Sequence, residues 1–280
     1  SKPLKNKTEF INLFSIVTLG YFANFLIPVR VGEFLRAFLL QRKENIPFAS
    51  GFLSIVVERI LDLIAIVLIA TAAIIALPST QEYPRWFLGT IQTLTLLTAM
   101  LLIFFLLSRK IQKQLLGLTK KTLSKIPKLP SSLQERMLSF TEDIIKGTET
   151  LHKHPKELLI LIFALSILTW LSVSLTFLCL FSAFDIDITL TTLLLGSMLI
   201  TASHILPAAP GNVGSYEAYW VVVFIGLGFS TETILPVGIV SHVVQSILIT
   251  ILGSLCLSWA GMHITEIIKI DLRNIPSKKF

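Results

Sequence analysis

The chain has 280 residues, 53% hydrophobic and only 15% charged, with a mean hydropathy of +0.78. Soluble domains carry roughly 25% charged residues, so the composition excludes an ordinary soluble domain and reads as an integral membrane protein. The net charge of +7 raises nucleic acid as a partner, but its distribution along the chain argues for a membrane surface and against nucleic acid.

A spanning helix needs about 20 apolar residues. The first apolar run, residues 10–27, breaks at "LIPVRVGEFLRAFLL" (26–40), where Pro28, Arg30, Gly32, Glu33 and Arg36 interrupt it. At ~1.5 Å rise per residue, the apolar stretch after this break covers only about half a membrane. Uninterrupted spans are predicted at 49–77, 86–107, 158–182 and 234–261. Between the second and third lies a basic linker, 108–157. Its apolar residues Leu115, Leu116, Leu118, Leu123 and Ile126, then Leu133, Met137, Phe140, Ile144 and Ile145, recur at helical spacing among Lys and Arg. Two amphipathic helices on the lipid surface, separated by "PKLP" at 127–130, account for that pattern. A second interrupted run, 189–206, meets "LPAAPGNVGSYE" (206–217) and again leaves a short apolar helix beyond the break.

The runs are long and continuous rather than alternating in ~10-residue segments, which excludes a membrane barrel. The predicted fold class is all-α. Cys179 and Cys256 fall inside apolar helices and read as small buried hydrophobes rather than a disulfide. "HKH" at 152–154 reads as solvated surface rather than a metal site, and no metal or cofactor is expected. Lys2, Lys5 and Lys7 lead into a longer interrupted segment with no small-residue cleavage site, so no cleavable signal peptide is predicted. The missing initiating Met points to a trimmed or excerpted chain.

If both interrupted runs are re-entrant hairpins, the N-terminus, residues 41–48, the linker 108–157 and the tail 262–280 share one face. That face collects 20 of the 24 Lys and Arg residues, and the positive-inside rule makes it cytoplasmic. The predicted organisation is a single transmembrane domain over 1–280. Its first half, 8–107, holds a hairpin at 10–43, and its second half, 158–261, holds a hairpin at 189–230. The two breaks share Pro (Pro28, Pro207), a Val-Gly pair (Val31-Gly32, Val213-Gly214) and a nearby Glu (Glu33, Glu217). Three crossings separate them, so they open from opposite faces: a polytopic inverted repeat. Paired Pro/Gly-interrupted segments of this kind point to a transporter site near the midplane. The span before the second hairpin has no counterpart before the first, which predicts a further N-terminal helix in the parent chain or a partner.

Arg30, Glu33, Arg36, Glu58, Arg59, Asp62 and Glu217 fall in or beside these segments and sum to minus one. At ~2.5–3.5 kcal/mol each at the bilayer centre, seven uncompensated charges would cost about 20 kcal/mol, above the ~5–15 of a typical fold. They must pair or line water. Glu33 with Arg36, Glu58 with Asp62 and Arg59 with Asp62 stand at i,i+3 or i,i+4 and share helix faces. For Arg59 and its neighbours, helix locking and function are equally good accounts. Arg30 and Arg36 flank broken backbone, where guanidinium and free N–H groups suit a phosphate. Gly211, Asn212, Gly214 and Ser215 offer the same free amides in the second loop. His204, His242 and Gln245 read as packing groups ahead of proton carriers, and Trp170, Trp220 and Trp259 as interfacial anchors or core.

"NFLIPVRVGEFLRAFLL", "IVVERILDL" and "PAAPGNVGSYEAYW" in that order resemble the motifs of the lysylphosphatidylglycerol synthase transmembrane region family. That family includes the flippase domain of multiple peptide resistance factor. The resemblance implies a polytopic domain with re-entrant helices that moves a lipid headgroup between leaflets. It carries over to Pro28, Arg30, Gly32, Glu33 and Arg36, to Glu58, Arg59 and Asp62, and to Pro207, Pro210, Gly211, Gly214 and Glu217. The factor's soluble aminoacyl-transfer domain is absent, so lipid synthesis is not implied. The expected activity is a flippase or scramblase in the cell membrane, not an enzyme, acting on an anionic or aminoacylated phospholipid or a polyisoprenyl-phosphate lipid. A membrane-embedded lipid-linked transferase is the alternative, as is a scaffold for a lipid synthase or glycosyltransferase partner; a homo-oligomer is also compatible.

Overall fold

The computed structural model describes residues 10–27, 31–77, 156–204 and 209–263, together with the isolated positions Gly89 and Thr93. Among these residues the chain forms seven α-helices, one 3-10 turn and no strand. The helices are α1 Phe10–Leu26, α2 Gly32–Glu44, α3 Phe48–Ile75, α4 Lys156–Ala183, α5 Leu190–Ser203, α6 Ser215–Gly226 and α7 Thr231–Ala260, with the 3-10 turn Pro210–Asn212 between α5 and α6. The all-α expectation holds, and α3, α4 and α7 coincide closely with three of the predicted spans. The predicted span 86–107 apart from those two positions, the linker 108–155, residues 1–9 and 264–280, and Pro28, Arg30 and Pro207 lie outside the described residues.

Local chemistry sets the helix ends. The α2 helix stops at Asn45, which takes a left-handed conformation and donates its N–H to the Leu40 carbonyl. Pro47 then bars continuation. Ser230 caps α7 by accepting the Thr233 N–H, and left-handed Gly261 closes its far end. The break between α5 and α6 has a backbone cause: Gly211, Asn212 and Gly214 all have positive φ, at 67°, 57° and 77°. Gly and Asn are the residues that tolerate this conformation, and a right-handed helix cannot run through it.

The described residues fall into two compact units. One draws on 10–55, 203–222 and 230–263, the other on 56–77, 156–202 and 223–229. In the first, α1 packs against both α2 and α7, around Ile16, Leu19, Phe22, Ala23, Leu35, Leu39, Cys256 and Leu257. Small residues let these helices close up. A Cβ on Gly253 would collide with the Phe22 ring, and one on Gly238 would stand 2.9 Å from Trp220 Cβ. Trp220 is fully buried, which makes it core, whereas Trp259 stays 64% exposed near the end of α7.

The second unit buries Phe177, Phe181, Leu193, Leu195 and Phe224. The Phe181 ring centroid lies 5.2 Å from that of Phe224 and 5.7 Å from that of Phe229. Gly196 admits the Phe224 ring, whose Cε1 would stand 2.6 Å from an added Cβ. The polarity of α4 is inverted relative to a soluble helix. Ile160, Leu161, Leu165, Leu168 and Leu175 are exposed, while Ser166 and Ser174 are buried. Ser174 bonds Ser197 at 2.7 Å. Contiguous exposed aliphatic side chains are stable against lipid and not against water. Ile160–Ala183 and Thr231–Ala260 are long and apolar enough to cross a membrane. The 28-residue α3 matches them in length, but carries Glu58, Arg59 and Asp62. Cys256 is buried as expected; Cys179 is not, since it projects from the outward face of α4, and both are free thiols.

Candidate functional site

The first interruption is built on an extreme approach of two backbones. A Cβ on Gly32 would overlap the Gly20 carbonyl oxygen and stand 2.7 Å from Asn24 Oδ1. With no side chain at either glycine, the start of α2 lies directly on α1. Val31, the residue before α2, provides no side-chain cap. Asn24 of α1 supplies one instead: its Oδ1 accepts the Gly32 N–H at 2.7 Å. The Asn24 amide also faces both carboxylate oxygens of Glu33 at 3.3 Å. Nothing in the local spacing of "GEFLR" announced this partner; a lone Asn inside an apolar run was the available signal. Arg36 is 8% exposed, and its Cγ and Cδ occupy the space over Gly20, 2.5 and 2.6 Å from where a Cβ would stand.

The second interruption carries the denser polar network. Gly214 precedes α6, and its carbonyl accepts the Ala218 N–H at 3.1 Å. Glu217, three residues on, reaches back so that Oε2 accepts the Gly214 N–H at 2.8 Å, the acidic half of a capping box. Ser215 Oγ donates to the Asn212 carbonyl at 3.0 Å, so these predicted residues first of all organise the turn. Glu217 Oε1 also meets His242 Nδ1 of α7 at 2.6 Å, and His242 Nε2 meets the Gly211 carbonyl at 2.7 Å. Tyr216 packs its ring 4.9 Å from His242. Its hydroxyl bonds Ser241 Oγ at 2.9 Å and accepts from Gln245 Nε2 at 2.9 Å. Thus His242 and Gln245 belong to the polar cluster, and Tyr216 joins it without having been anticipated.

Both interruptions lie in the first unit, where α1 touches the 3-10 turn. The Phe25 ring, at the end of α1, would be 3.8 Å from a Cβ on Gly211. Val213 and Gly214 remain exposed beside this contact.

Glu58, Arg59 and Asp62 form a chain of ion pairs in the second unit. Arg59 Nη2 meets Glu58 at 2.5 Å and Nη1 meets Asp62 at 3.5 Å. The buried Ser166 hydroxyl donates to Asp62 at 2.9 Å. The predicted shared face therefore exists, with Arg59 between its two acids. No group of His, Cys, Asp and Glu able to hold a metal occurs among the described residues.

Residues 2–253 match the model of the lysylphosphatidylglycerol synthase TM region. A UPF0104 membrane protein of Methanothermobacter thermautotrophicus is 22% identical over 266 residues, covering 91% of this chain and 77% of its own. Another, from Methanocaldococcus jannaschii, is 26% identical over 263 residues, 90% of this chain and 75% of its own. The glycosyltransferase AglD of Haloferax volcanii is similar only locally, with 39% identity over 57 residues, 20% of this chain and 9% of its own. No solved structure matches significantly. Length of match, order of motifs and long apolar helices agree: this chain is a membrane protein belonging to the lysylphosphatidylglycerol synthase transmembrane region family.

Proposed function

We propose that this protein carries the polar headgroup of a membrane lipid between leaflets through a wet cavity built where the two interrupted segments meet, and performs no chemistry on it. The carrying observation is the contact between α1 and the 3-10 turn, with exposed Val213 and Gly214 beside it. Irregular backbone at membrane depth is tolerated only where it is buried in protein or lines an aqueous space. Arg30 and Arg36 hold a phosphate in this reading, Glu33 and Glu217 balance charge, and the tails remain in lipid. The repeated Pro, Val-Gly and Glu pattern supports an inverted repeat of two re-entrant hairpins. The basic segments then face the cytoplasm.

The substrate class is an anionic or aminoacylated phospholipid or a polyisoprenyl phosphate. The local similarity to a glycosyltransferase favours one second reading, a membrane scaffold for such an enzyme.

Proteoliposomes containing the purified chain and fluorescent phosphatidylglycerol, or a fluorescent polyisoprenyl phosphate, test the proposal. Leaflet exchange is measured by quenching of the outer leaflet. Exchange should accelerate with wild type and fall with Glu33→Gln and Arg36→Ala, both checked for intact folding. Absence of exchange with every probe counts against transport; a stable complex with a glycosyltransferase in its place supports the scaffold.

A further inference from the structure

We propose that Glu217 and His242 form a proton-binding site, and that the proton they hold pins the broken backbone at Gly211 to α7. The argument is a count of donors and acceptors. His242 Nε2 lies 2.7 Å from the Gly211 carbonyl, which only accepts, so this nitrogen must carry a hydrogen. Nδ1 lies 2.6 Å from Glu217 Oε1, and that bond also needs a hydrogen, on either the nitrogen or the oxygen. An imidazolium facing a carboxylate satisfies both contacts, and so does a neutral imidazole facing a carboxylic acid. Each form holds one proton more than neutral imidazole with carboxylate.

When that proton leaves, the ring has one N–H for two acceptors. The charged carboxylate is the stronger acceptor, and its other oxygen is anchored by the Gly214 N–H. The remaining N–H therefore serves Glu217, and a nitrogen lone pair is left facing the Gly211 carbonyl. Gly211 opens a turn whose left-handed residues Gly211, Asn212 and Gly214 enclose Val213, 70% exposed. Val213 and Gly214 of this turn are exposed.

Among the described residues, Tyr216 and His204 are titratable side chains linked to the pair through ring contacts. Tyr216 of α6 packs on the ring, with its hydroxyl committed to Ser241 and Gln245 of α7. His204, after α5, meets the Tyr216 ring edge-on at 5.6 Å. The α1 helix carries no charged residue. Among the described residues Glu217 has His242 as an ionisable partner at 2.6 Å. The consequence for flux rests on the transport reading above: protonation would hold the turn beside the cavity, and deprotonation would release it.

A nitroxide attached at Val213→Cys, in the full chain with Cys179→Ser and Cys256→Ser and reconstituted in liposomes, reads the mobility of the turn. Between about pH 5 and about pH 8, the window in which an ordinary imidazole changes charge, the label should pass from ordered to mobile. Glu217→Gln should abolish that step and stay ordered: its Nε2 donates to Nδ1, its Oε1 accepts from Gly214, and neither titrates. Glu217→Ala should be mobile throughout. Nitrogen-15 spectra of the label-free wild type provide an independent reading, with the His242 signals identified by their loss in His242→Gln. Both ring nitrogens of wild type should shift across the window that moves the label, whereas in Glu217→Gln a shift on protonation of the imidazole should leave the label ordered, since Nε2 keeps its hydrogen for the Gly211 carbonyl in both states. An unchanging label in wild type, or a Glu217→Gln protein that loosens as wild type does, overturns the proposal. Leaflet exchange on the same liposomes separates the two claims. A mobility step without exchange leaves the proton site standing and defeats transport; exchange without the step does the reverse.

Discussion

Replacing Gly32 with alanine tests the close crossing of α1 and α2, because the structure reverses the sign expected from helix propensity. Ala is favoured over Gly in a helix by about 1 kcal/mol. Here the added methyl would overlap the Gly20 carbonyl oxygen and press on Asn24. A backbone oxygen cannot rotate aside, so α1 and α2 must separate, at about 1–3 kcal/mol for overpacking. Displacing Asn24 also removes the cap on Gly32, worth about 0.5–2 kcal/mol. After the propensity gain, the net loss is about 0.5–4 kcal/mol, centred near 2, or roughly thirtyfold in the unfolding equilibrium. Unfolding by added dodecyl sulfate in mixed micelles, followed by circular dichroism, measures it. A Gly32→Ala protein as stable as wild type, or more so, would refute the crossing.

Other variants probe separate parts of the fold. Gly214→Ala has open space around it but a φ of +77°, so it should lose about 1–2 kcal/mol in the same assay through backbone strain alone. Asn24→Ala should cost about 1–2 kcal/mol, and Asn24→Asp should cost more, since it places a second carboxylate against Glu33; equal stability of the two variants would argue against the Asn24 to Glu33 contact. Ser174→Ala and Ser197→Ala in a double-mutant cycle should show a coupling near 0.6 kcal/mol, the usual size for hydroxyl bonds between membrane helices, with zero coupling ruling out their hydrogen bond. A lipid-soluble maleimide should modify Cys179 in bilayers and leave Cys256 unreacted, as peptide mass spectrometry would reveal.

The residues that stop helices are legible from local chemistry. Pro47, Gly261 and the "PGNVG" stretch each impose a backbone conformation that a continuing helix cannot adopt, whatever surrounds them. Apolar run length likewise places α3, α4 and α7 without reference to neighbours, and the excess of Lys and Arg in the polar segments sets an expected orientation. The spacing of Glu58, Arg59 and Asp62 also predicts their shared face, because i,i+3 and i,i+4 relations are properties of a single helix.

What tertiary structure decided was which polar group answers which. Asn24 caps a helix that begins eight residues later on a different axis. His242 reaches back 25 residues to Glu217 and 31 to Gly211, which turns a histidine read as packing into the centre of the polar cluster. Gly20 and Gly32 each look like an isolated small residue until their helices cross. Helical periodicity repeats within one helix and says which residues share its face. It does not say which face of which other helix will be opposite, because that depends on close packing of all the helices at once.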